Sequence, residues 1–359
     1  MANNARYYGW IIFTVFALQS SVAAADSLTL LARHNYIDPE ALVSYREKFG
    51  VEVLIQNFGT NEELDQLITA GTRDIADIIV VPGSKLEGYV RKGLVKALPS
   101  GLKGELPQID SRWWHAYPSA EWYGVPLYWG TLGVAYRRDL VDSPMEGWMD
   151  FFIPQDSLKG KIAVLPSARE ATGMALKSIG HSLNVRSERA SSAALDLLRS
   201  QSPHVKEYTK LISEPESPLV SGVVVAAMMF NGDAVALQKY NENIAYLLPK
   251  EGGGVWVDYL VVSSRSKDSE AALNVIRYLS EAGVAAELAT YSSQATPNSE
   301  SKNFLGRHLL ENSAIYPDPE ALDRSELFEN KLPRYTKGVL DSYRQIMQPI
   351  ETAQSLAFQ

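Results

Sequence analysis

The 359-residue sequence contains no cysteine. Neither disulfides nor thiolate metal ligands are therefore available, and stability rests on ordinary packing, which is compatible with an oxidising compartment. Histidine is scarce. His34, His115, His181, His204 and His308 are dispersed without metal-ligand spacing and read as surface or packing residues. His34, in the loop after the apolar run Leu28 to Leu31, is the exception. No phosphate loop, dinucleotide glycine fingerprint, paired-histidine zinc helix or nucleophile elbow occurs. No cofactor or metal is expected, and an enzyme lacks a motif. Positive charge is in the minority, with 34 Lys and Arg against 42 Asp and Glu and a formal net charge of −8 at pH 7. That balance argues against nucleic acid as a partner and suits cationic ligands. There is no repeat, no low-complexity tract and no long linker, and no segment beyond the first 25 residues reads as transmembrane.

The first 25 residues read as an export signal: Arg6 in a short polar start, an apolar run from Gly9 to Leu18, and small residues up to Ala23-Ala24-Ala25. The apolar run is shorter than the roughly 20 residues a membrane span needs. Cleavage is expected before Asp26, with a retained anchor as the alternative, and removal of Arg6 makes the mature chain still more acidic. What remains is enough for two domains of roughly 100 to 200 residues each.

From Ser27 short apolar runs alternate with helical patterns. Leu28 to Leu31 reads as a strand, followed by Asp38 as N-cap, Pro39 at the first helical position and Gly50 as the stop. Val51 to Ile55 reads as a second strand, Thr60 to Glu63 as a capping box opening a helix, and Asp77 to Val81 as a third strand. Such alternation implies right-handed crossovers and largely parallel pairing, with ligands beyond the carboxyl ends of the strands. The pattern pauses at Gly124 to Tyr136 (GVPLYWGTLGVAY), a stretch suited to crossing into a second sheet. A second α/β unit follows, with a strand at Lys161 to Leu165, helices near Ala168 to Gly180 and Glu188 to Gln201, and a buried strand at Val223 to Phe230. Leu247 to Val262 (LLPKEGGGVWVDYLVV) reads as the return crossing. Two α/β lobes, residues 26–133 with 257–302 and residues 134–256 with 303–359, would thus meet at a hinge whose cleft closes on a ligand.

Several segments carry a resemblance in order and spacing: Thr60-Asn61-Glu62, Asp77 to Pro82 (DIIVVP), Pro126 to Tyr136, Ser167-Ala168-Arg169-Glu170, Pro249 to Asp258 (PKEGGGVWVD), Thr296-Pro297-Asn298 and Ile315-Tyr316-Pro317. From about Leu28 to the C-terminus the chain resembles the periplasmic spermidine/putrescine-binding proteins of ABC transporters. The resemblance implies the two-lobed type II periplasmic binding fold and capture of a small cationic amine. In that family carboxylates from both lobes pair with ammonium groups while aromatic rings flank the methylene chain. Such recognition rests on charge-assisted hydrogen bonds at fixed spacings, with cation–π and apolar contacts between them.

Carried over by position, Glu170, Trp256 and Asp258 fall on family ligand contacts with the residue type kept. Phe230 stands where the family has Trp, and Tyr36 keeps an aromatic in the loop after the first strand. The departures are concentrated elsewhere. That loop reads Arg33, His34, Asn35 and Tyr36, so Arg33 replaces an aromatic and Asn35 an acid. A further acid becomes Ser167, a Ser becomes Gly83, a Tyr becomes Lys85, and another Tyr aligns with Gln294. If Arg33 and Lys85 point into the cleft, they repel a polyamine and favour a shorter amine, a monoamine with an anionic tail or another ligand. If they turn outward, a diamine or triamine fits with water completing its shell.

The resemblance implies a monomer that delivers its ligand to an inner-membrane ABC permease. The alternative is a periplasmic polyamine sensor reporting to a membrane receptor of cyclic-dinucleotide metabolism. An enzyme on the same fold is the third class.

Overall fold

The computed structural model describes residues 27–69, 76–329 and 333–357, so the export signal read at residues 1–25 lies outside the described residues. The strands are β1 (Leu28–Arg33), β2 (Val53–Phe58), β3 (Ile78–Pro82), β4 (Val125–Arg137), β5 (Ile162–Val164), β6 (Val205–Tyr208), β7 (Ala226–Phe230), β8 (Ile244–Leu247), β9 (Gly254–Val262) and β10 (Glu326–Leu327). Among the described residues they form one mixed sheet ordered β2-β1-β3-β9-β4-β7-β5-β6, with β8 paired to β4 and β10 to β9. Helices flank it, giving an α/β fold.

The outer pairs are parallel, β1 with β2 and β3 at one end and β5 with β6 and β7 at the other. These are the βαβ units that the alternating pattern implies. The centre is antiparallel: β9 runs against β3 and β4, and β4 against β7. The two crossing segments account for this, because one chain segment enters the second half and the other returns alongside it. β4, thirteen residues long, is buried at every position except the half-buried Tyr136. β9 is buried except at Trp256. A strand covered on both faces reads as a continuous apolar run, which is how both segments stand out in the sequence.

Local signals act as their chemistry requires. Asp38 accepts a hydrogen bond from the Glu40 N–H at 3.0 Å, Pro39 begins the helix Pro39–Phe49, and Gly50 closes it at φ 73°. Thr60 Oγ1 accepts from the Glu63 N–H at 3.1 Å, while the Glu63 carboxylate accepts from the Gly59 N–H at 2.7 Å, one residue earlier than in the standard box.

One large core holds Leu132, Trp148, Phe151, Ile162 and Met174 in the second half, and another holds Leu30, Ile78, Trp114 and Ile276 in the first. The boundaries drawn at residues 133 and 256 fall inside β4 and β9, the strands common to both halves. Leu305, Leu309 and Ile315, on the stretch assigned by sequence to the second lobe, pack with Leu31, Phe58 and Val81 of the first.

Candidate ligand-binding cleft

The carboxyl ends of β1, β3, β5 and β7 converge on a cleft of about 480 Å³. Eight sequence-assigned residues line it: Arg33 at the end of β1 and Tyr36 after it, Ser167 and Glu170 after β5, Phe230 at the end of β7, Trp256 and Asp258 within β9, and Gln294. Gly83, after β3, lines it too. Three others lie elsewhere. His34 and Asn35 are exposed and line a separate groove with Tyr291 and Arg46. Lys85 is drawn away by Asp65, its Nζ 2.5 Å from Oδ2.

Asp258 is held by the loop after β1. Asn35, at φ 58°, turns the chain so that the Tyr36 hydroxyl donates to Asp258 Oδ2 at 2.9 Å. Tyr128 secures that loop from beneath, donating to the Tyr36 carbonyl at 2.8 Å, with the two rings edge to face at 5.3 Å. Asp258 is only 4% exposed and forms no ion pair among the described residues. Burial holds its carboxyl above the usual carboxylate range, while Arg33, the Tyr36 hydroxyl and Lys210 pull the other way.

Trp256 lies across β4 at Gly130, its register partner. A Cβ at Gly130 would stand 2.6 Å from the indole Cζ2 and 2.3 Å from Asn231 Oδ1. The open backbone thus lets the ring lie flat, with Phe230 edge to face at 6.3 Å. Gly130→Ala is expected to displace the indole and the Asn231 side chain together, weakening ligand binding at least tenfold in calorimetry. Changed tryptophan fluorescence would accompany that loss.

Glu170, 6% exposed, stands on the first turn of the helix Ala168–Ser178. Its carboxylate is already engaged, by Arg169 Nε at 3.0 Å, by Arg169 Nη2 and by the Ser167 hydroxyl. Burial works to raise this carboxyl, but Arg169 and the hydrogen bonds outweigh it and hold it below the usual range. Arg169 itself stacks over Phe328 at 5.0 Å.

Sequence reasoning did not assign Arg169, Tyr117, Lys210 or Asp233, which also line the cleft. Asp233 sits in the first turn of the helix leaving β7, where the carboxyl-end rule could have found it. Tyr117 had an indirect signal in Gly83, where a Cβ would stand 2.2 Å from the tyrosine ring. The Ser-to-Gly departure makes room for an aromatic side chain.

A ligand-sized cleft between two α/β halves joined by long central strands defines a two-lobed solute-binding protein. The chain belongs to the bacterial extracellular solute-binding protein family, whose sequence profile matches residues 40–312. It is 27% identical over 316 residues to the spermidine/putrescine-binding periplasmic protein of Escherichia coli, covering 86% of this chain and 89% of that one. It is 25% identical over 325 residues to the putrescine/agmatine-binding protein of Pseudomonas aeruginosa, covering 85% and 88%. Its fold superposes on the Streptococcus pneumoniae spermidine/putrescine ABC transporter substrate-binding protein PotD with a TM-score of 0.82 at 26% identity, over 90% of this chain and 99% of that one. The family is one of binding proteins and not of enzymes, as the missing catalytic motifs suggested.

Proposed function

We propose that the chain is a periplasmic protein that captures a small cationic amine between its lobes and delivers it to an ABC importer in the inner membrane. The observation that carries the reading is Asp258, a buried carboxylate that forms no ion pair among the described residues, facing the same cleft as the rings of Trp256, Phe230 and Tyr36. A buried unpaired charge is costly, and an ammonium group brought against it supplies the missing partner while the rings take up the alkyl stem. Relatives named for spermidine, putrescine or agmatine point to the same ligand chemistry. The PotD likeness points to an ABC importer as recipient. The export signal read at residues 1–25 agrees with a periplasmic location, and among the described residues no helix is long and apolar enough to cross a membrane. Closure would bend the chain at β4 and β9, the two strands shared by both halves.

Native mass spectrometry of the unrefolded protein is expected to reveal a retained amine. Calorimetry with amines bearing one to three ammonium groups is expected to find at least one ligand, with a dicarboxylate of similar length inert. Silence across the amine panel would overturn the reading.

A further inference from the structure

The charges facing the cleft are mostly spent on one another. Glu170 is taken by Arg169 and Ser167. Asp233 is taken by Lys210 at 3.2 Å and by the Ser213 hydroxyl at 2.9 Å. Glu62 lies exposed at the rim, where solvent screens it. Among the described residues Asp258 remains the one buried cleft carboxylate with no ion pair.

Arg33 supplies the opposing charge. Its guanidinium is fixed by Asn61 Oδ1 at 2.5 Å and the Gly59 carbonyl at 3.2 Å, and it lies over the Phe58 ring at 5.1 Å. Both hydrogen-bond partners are neutral, and the guanidinium keeps its full charge in the cleft wall, where it pulls the Asp258 carboxyl down against burial without forming an ion pair with it. Gln294 adds an independent sign of an absent partner: it is 6% exposed, lines the cleft, and its Oε1 is enclosed without a hydrogen bond. A buried acceptor left open in this way calls for a donor from the ligand.

From these charges we infer that the ligand carries a single ammonium group, held at Asp258, on a stem whose other end is an uncharged polar group. This inference rests on the cationic-amine reading above and sharpens it. One ammonium neutralises Asp258. A second would find Glu170 and Asp233 already paired and would add to the positive charge that Arg33 already brings to the cleft wall, so it would be desolvated without a counter-ion. A hydroxyl or amide on that end keeps both a hydrogen-bond donor, such as the open Gln294 carbonyl calls for, and an acceptor, and brings no charge to be repelled.

The test compares 5-aminopentan-1-ol with cadaverine, which match in length and differ by a hydroxyl for an ammonium, together with N-acetylputrescine and spermidine. Calorimetry on the mature protein is expected to show the amino alcohol or the acetylated amine binding at least tenfold more tightly than cadaverine or spermidine. Arg33→Gln is expected to narrow that ratio at least threefold by strengthening the diamine, and Arg33→Lys to preserve it, with melting curves confirming that both variants fold. Cadaverine or spermidine binding as tightly as the single-ammonium probes overturns this inference and leaves the amine reading standing. An unchanged ratio in Arg33→Gln overturns the role given to Arg33. Silence from every probe overturns the parent reading, and this one with it.

Discussion

Asp258→Asn is expected to lose amine binding by two orders of magnitude or more while melting no lower than the parent protein at neutral pH. The two effects share one cause. In the free protein the carboxylate is buried beside a single hydroxyl donor, and burial raises its pKa. A group whose folded pKa lies above its unfolded value of about 3.9 contributes stability that is fully present below that value and lost as pH rises through the folded pKa. At pH 7 the ionised side chain therefore weighs against the closed-in site. The amide keeps an oxygen for the Tyr36 hydroxyl and carries no charge, so the variant should be as stable or more so. Its advantage should shrink as pH falls through the folded pKa and be gone below about 3.9, where the parent carboxyl becomes neutral in both states. With the charge gone the ligand's ammonium has no counter-ion, and a buried charge-assisted pair is the kind of contact whose loss costs several kcal/mol. A variant that binds amines normally would show that Asp258 is not the ammonium partner. One that melts well below the parent would show that its charge is compensated in the fold.

Glu170→Ala should behave in the opposite sense. Its carboxylate is held below the usual range because Arg169 and Ser167 outweigh the burial that would raise it. Such a group contributes stability present above its unfolded pKa of about 4.3 and lost as pH falls through the folded value. Removing it strips the half-buried Arg169 of its partner and is expected to cost about 2 to 3 kcal/mol, less than a fully buried pair because the guanidinium keeps some solvent. Urea unfolding at pH 7 measures the loss, and the acid limb of the stability profile should flatten. Amine affinity should fall less than in Asp258→Asn. Equal losses of affinity from the two variants would place an ammonium at each acid, and would favour a diamine.

The residues that the family resemblance implies as contacts sort accordingly. Both acids line the cleft, yet one is open and the other engaged, and sequence could not distinguish them. Ser167 replaces a family acid and sits within the Arg169–Glu170 group as a donor. Arg33 and Lys85 were the two cations on which ligand charge turned, and their fates differ. Arg33 lines the cleft, whereas Lys85, three positions into the helix Gly83–Arg91, is pulled to Asp65 of the neighbouring helix Asn61–Thr69.

Elements were legible in the sequence wherever the chain is in direct conversation with itself. The cap at Asp38, the αL glycine at Gly50 and the apolar crossings become β4, β9 and their flanking helices because hydrogen bonding, backbone freedom and periodicity act over a few residues. The position of the cleft follows as well, since parallel βαβ units leave their carboxyl ends open on one side. The pairing of charges across that cleft was decided only by the tertiary structure. Tyr36 and Asp258 are 222 positions apart, Lys210 lies in the segment after β6 while Asp233 stands on the helix after β7, and Asp65 meets Lys85 only because the helices carrying them follow β2 and β3, the two strands that flank β1. Coulomb and hydrogen-bond energies depend on ångström-scale separations that no local pattern encodes, so the sequence determined which charges the site contains, and folding determined which of them remained for a ligand.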